Sequence, residues 1–103
     1  MVKIIYDFND AAIARAGTTK DELLKNIRNF VAHRDGAEEP EYGVFTLDKD
    51  ENDLTLLYVA LVELKENIPF RKMFHEVYAY VNGELSSCIE SVERDDLRES
   101  RAS

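Results

Sequence analysis

Tryptophan is absent from the 103 residues, cysteine occurs once, histidine and proline twice each, and glycine four times. A lone Cys88 excludes an internal disulfide framework and agrees with a reducing compartment. His33 and His75 have no Cys, His or paired carboxylate at ligand spacing, so no metal and no cofactor is expected. Four isolated glycines supply no phosphate-binding loop. The longest uncharged apolar run, Leu54 to Val62, falls far short of the roughly 18 residues a membrane helix needs, and Met1 to Asp7 has no signal-peptide pattern. These absences predict a cytoplasmic chain that does not enter a membrane.

What is present is acid. Twenty-one Asp and Glu face thirteen Lys and Arg, a formal charge of −8, and the imbalance is uneven. Met1 to Arg34 carries six basic residues against four acidic ones (+2), leaving seven against seventeen from Asp35 onward (−10). A surface of that sign repels nucleic acid backbones and speeds encounter with cationic partners. The hydrophobic fraction of 45% is enough for one core, and the length predicts a single domain over residues 1–103.

Hydrophobic patterning predicts an α+β fold: an N-terminal strand or arm and two helices packed on an antiparallel meander of three to four strands. Val2 to Tyr6 reads as an edge strand or arm. Asp7 to Ala16 reads as a short helix that Gly17 ends. A longer helix follows, with Thr18 or Thr19 as cap, Glu22 in the capping-box place, and Leu23, Leu24, Ile27, Phe30 and Val31 at the helical period. Pro40 keeps the acidic connection 36–41 out of any central strand.

The meander begins at Tyr42 to Leu47 and turns at Asp48 to Asp53, which lacks the glycine and closing glutamate of a calcium loop. Leu54 to Leu64, apolar on alternate residues of both sides, reads as a central strand. Met73 to Val81 and Leu85 to Val92 read as a hairpin around Asn82-Gly83, the strongest short hairpin signal available. Phe70, Met73, Phe74, Val77 and Val81 also fit helical spacing, as do Leu85, Cys88, Ile89 and Val92, which leaves a mostly α-helical bundle with one hairpin as the alternative. Residues 93–103 read as a charged helix extension or frayed tail.

No catalytic constellation emerges, so the expectation is a non-enzymatic acidic protein that inhibits or neutralises a basic protein partner such as a nuclease. Immunity proteins, antitoxins and phage-encoded inhibitors share that size and charge. The predicted partner-binding residues are Glu38, Glu39, Glu41, Asp48, Asp50, Glu51 and Asp53, with Tyr42 and Tyr58 as aromatic anchors. A self-assembling module, in its simplest form a homodimer, is a second expectation, resting on the two-faced apolar stretch Leu54 to Leu64.

Ala11 to Phe30, with Ala12, Ala14, Ala16-Gly17-Thr18, Leu23 and Ile27, resembles the helix-turn-helix segment of bacterial repressors. That resemblance implies DNA contacts through Arg15, Lys20, Lys25 and Arg28. Ile13 and Asn26 depart from its pattern, and the acidic remainder of the chain opposes it.

Overall fold

Val2–Phe8 (β1) is the middle strand of a five-stranded antiparallel sheet in the computed structural model, which describes residues 1–48 and 53–102. After β1 come α1 (Asp10–Ala16), α2 (Lys20–His33), β2 (Ala37–Glu41) and β3 (Val44–Leu47). The chain continues through α3 (Thr55–Glu66), the single turn α4 (Ile68–Arg71), β4 (Phe74–Val81), β5 (Glu84–Ser87) and α5 (Cys88–Ala102). The sheet order is β2-β3-β1-β4-β5, and the fold is α+β, helices on an antiparallel sheet, as the patterning predicts.

Local chemistry accounts for the boundaries. Asn9 caps α1 by accepting from Ala12 N at 3.2 Å, and Gly17 ends it in the left-handed region at φ 70°. Thr19 caps α2 by accepting from Glu22 N at 3.2 Å, as its place three residues before Glu22 predicts. Asn82 and Gly83 both take positive φ, 51° and 86°, which is what a two-residue type I′ turn requires between β4 and β5. Pro40 sits in β2, an outer strand with a register shift between Glu38 and Glu41, where a missing N–H is tolerated.

Three expectations are corrected. The predicted N-terminal edge strand or arm is instead central, pairing with β3 and β4 so that Ile4 stands opposite both Phe45 and Ala79. Its apolar residues alternate inward, Val2, Ile4 and Tyr6 being buried, but only its pairing partners, distant in sequence, reveal its place. Because β1 lies between β3 and β4, the sheet is not a simple meander. Leu54 to Leu64 is not a strand: Thr55–Glu66 is helical, burying Leu56, Ala60 and Leu64 at a spacing of four. A helix packed against both the sheet and another helix is apolar on several sides, and α3 meets β1, β3 and α5. Leu85 to Val92 is a strand only as far as Ser87, whose hydroxyl then accepts from Glu90 N at 3.0 Å and starts α5. Residues 93–102, read as a helix extension or tail, continue that helix.

The core lies between one face of the sheet and the helices. Val2, Ile4, Phe45, Leu47, Val77 and Ala79 from the strands meet Leu24 and Ile27 of α2, Leu64 of α3, Phe70 of α4 and Val92 of α5. Tyr6 joins an aromatic cluster there, its ring centre 5.8 Å from that of Phe45 and 5.3 Å from that of Phe74.

Candidate functional site

The predicted acidic residues divide by the two sides of the sheet. Alternation along β2 sends Glu39 to the helix side, where Arg28 of α2 donates to it twice, Nε to Oε1 at 3.2 Å and Nη2 to Oε2 at 3.1 Å. Glu39 also accepts from Gly43 N at 3.0 Å, which fixes the β2–β3 turn. Arg28 donates to Asp21 at 2.6 Å, Tyr42 Oη donates to the same Asp21 oxygen at 2.7 Å, and the guanidinium lies 4.7 Å from the Tyr42 ring centre. The Tyr42 and Arg28 hydrogen bonds hold the Asp21 carboxyl below its usual range, while partial burial and Asp21 raise the Tyr42 phenol.

Asp53 is engaged in the same way. It accepts from the Thr55 hydroxyl, from Thr55 N at 3.0 Å and from Arg34, and these bonds, the hydroxyl first, lower its carboxyl to about 2. Of the remaining predicted residues, Glu38, Glu41 and Asp48 are exposed on or beside the β2–β3 hairpin. Asp50 and Glu51 lie outside the described residues. Tyr58 is 70% exposed on α3, beside a groove of about 170 Å³ between α3 and α5, and so is not continuous with the hairpin. The structure therefore keeps Glu38, Glu41 and Asp48 exposed along the length of the β2–β3 hairpin, turns Glu39 and Asp53 to internal partners, and leaves Tyr58 elsewhere.

Sequence reasoning passed over the sheet face opposite the core. Cross-strand register puts Glu38, Thr46, Lys3, Tyr80 and Leu85 in one row across it. The next row is Glu41, Val44, Ile5, Tyr78 and Ser87, and beyond it Asp7 stands opposite Glu76. None of these residues belongs to the core cluster; Tyr80 is 39% and Leu85 61% exposed. Val44 and Thr46 are buried in the middle of the face, beside the longer Ile5 and Lys3. The signal for this face was the alternation in Lys3-Ile4-Ile5 and Tyr78-Ala79-Tyr80, which is legible only once β1 and β4 are known to be neighbours.

Other chemistry is quiet. Burial, and then Glu76, push the Cys88 thiol up to about 11, so it stays protonated and poorly nucleophilic at neutral pH. Among the described residues no three His, Cys, Asp or Glu gather to hold a metal ion, and no helix is long and apolar enough to cross a membrane. A cleft of about 300 Å³ lies between α2, α3 and α4, walled by Leu23, Phe70 and Met73 with Glu22 and Glu63 at its polar side. α1, Gly17 and α2 do form a helix, turn and helix, yet three of the four cations that would read DNA are used internally. Arg15 Nε donates to Ala11 O, Lys20 pairs with Asp10 at 3.1 Å, and Arg28 is held as described, while Lys25 is exposed. No protein family, no curated protein and no solved structure matches the chain.

Proposed function

We propose that the chain is a non-enzymatic acidic protein that binds and neutralises a basic protein, such as a nuclease, after the fashion of immunity proteins and phage-encoded inhibitors. The supporting observation is a surplus of exposed carboxylate. Arg28 and Arg34 are already held by Glu39, Asp21 and Asp53, whereas Glu38, Glu41 and Asp48 stand exposed in a chain of net charge −8. Such carboxylates suit the Lys and Arg residues with which a nuclease holds phosphate, and their long-range field accelerates encounter. The working compartment on this reading is the cytoplasm, where Cys88 remains a thiol.

The test is affinity capture from the source cell with the purified protein as bait, in low and then moderate salt, checking what is recovered for both protein and nucleic acid. A basic protein that elutes as salt rises supports the reading; DNA in its place sinks it and returns weight to the helix-turn-helix segment. With the partner in hand, reversing Glu38, Glu41 and Asp48 to lysine slows association and flattens its salt dependence.

A further inference from the structure

We infer that the basic partner docks on the sheet face opposite the helices, and that this face prefers arginine to lysine. The inference rests on the proposed reading of the chain as a binder of a basic protein. The face has the layout of a protein interface: an apolar and aromatic centre with a charged rim. Ile5, Tyr78, Tyr80 and Leu85, on three adjacent strands, form its accessible apolar part, with Lys3 among them opposite Tyr80 and Val44 buried beside Ile5. Glu38 and Glu41 border it along β2, and Asp7 and Glu76 border it at one end of β1 and β4.

Charge selects the occupant. Four carboxylates and one lysine, Lys3, share the face, so it complements a cationic surface and repels a phosphate backbone. A second copy is disfavoured for the same reason, since each chain would bring −8 and the same rim. Arginine is preferred for its shape. Tyr78 and Tyr80 stand two residues apart on one side of β4, and Glu76 continues the same row. Glu76 Oε1 accepts from Ser87 Oγ at 2.6 Å and from Val77 N at 3.0 Å, and Oε2 takes part in neither bond. A guanidinium is flat, weakly hydrated and able to stack on a ring while bonding a carboxylate; an ammonium is a compact, strongly hydrated point charge. The chain already holds one arginine by that combination, Arg28 over Tyr42 with Glu39 as its carboxylate.

The experiment uses two synthetic extended peptides, identical except that one carries arginine wherever the other carries lysine, titrated into the isotope-labelled protein at low salt while backbone amide resonances are followed. The arginine peptide should bind about fivefold more tightly or better, with shifts centred on Lys3, Ile5, Tyr78, Tyr80 and Leu85. Tyr80→Ala, at an exposed position that does not threaten the fold, should remove most of the preference. Glu38→Lys with Glu41→Lys should weaken both peptides alike. Shifts centred on the α3–α5 groove near Tyr58, equal affinity of the two peptides, or concentration-dependent pairing of the protein through these same amides would overturn the inference while leaving an acidic binding protein intact. No binding of either peptide at low salt would overturn the binding reading itself, and this inference with it.

Discussion

Arg28 clasps Glu39 through two parallel hydrogen bonds while its guanidinium lies against the Tyr42 ring, so one side chain ties α2 to β2 and to the turn that leads into β3. Nearby Glu39 raises the already high Arg28 pKa, so the cation persists at every accessible pH. Arg28→Lys keeps the charge but loses the fork and much of the stacking. It should destabilise the fold by about 1 kcal/mol, read as a lower urea midpoint at unchanged slope. A midpoint equal to that of the unaltered protein would mean that charge alone does the work.

Gly43 sits at φ 75°, and a Cβ there would come within 2.8 Å of Phe8 Cε2 and 3.1 Å of Phe8 Cζ. Phe8 cannot swing freely, because its ring touches those of Tyr42 and Phe74. Gly43→Ala combines left-handed strain with that overlap, and should cost roughly 1 to 3 kcal/mol in thermal or urea unfolding. Gly83→Ala makes a control: its φ is 86° but nothing lies within 4 Å, so it should cost less than Gly43→Ala.

How much of this was legible in the sequence depended on the range of the interaction that decides each feature. Thr19 and Glu22, Gly17, and Asn82-Gly83 act over a few residues, and each did what its local chemistry predicts. The position of β1 is decided by pairing with strands some 40 and 75 residues away, and nothing near Val2 to Tyr6 encodes it. The candidate site followed the same rule. Glu38 and Glu39 are equivalent as letters in an acidic run, yet alternation along β2 leaves one in solvent and gives the other to Arg28. Lys3, Ile5, Tyr78, Tyr80 and Leu85 became a surface only through the order of the strands.

Asp53 makes the fold pH-sensitive in a definite direction. The Thr55 hydroxyl and amide and the Arg34 guanidinium lower its carboxyl from an ordinary 3.8 to about 2. A carboxyl that ionises more readily folded than unfolded adds stability at pH values above its unfolded pKa. That stability is lost as pH falls through the folded pKa. The stability difference between the unaltered chain and Asp53→Asn should therefore be constant above about pH 5 and shrink towards pH 2. A difference that stays flat over that range would show that hydrogen bonding to Thr55, which asparagine can imitate, is all that matters.

The helical identity of 55–66 gives the sharpest contrast, because a strand and a helix group the same letters differently. In a strand Leu56, Tyr58, Ala60 and Val62 would share one face, so lysine at 58 and lysine at 60 would meet the same surroundings. In α3, Ala60 is 1% exposed and stacks a turn from Leu56 and Leu64, while Tyr58 is 70% exposed on another side. Tyr58→Lys should change stability by no more than about 0.5 kcal/mol, since it removes little buried area. Ala60→Lys has to bury an unpaired ammonium and a long stem where a methyl group fitted, and should cost about 3 kcal/mol or more, enough to unfold a marginally stable small domain. Far-ultraviolet circular dichroism with urea titration separates the outcomes: a pair of variants equally tolerated, or equally ruinous, would speak for a strand, and only the asymmetric result belongs to a helix buried on the Ala60 side.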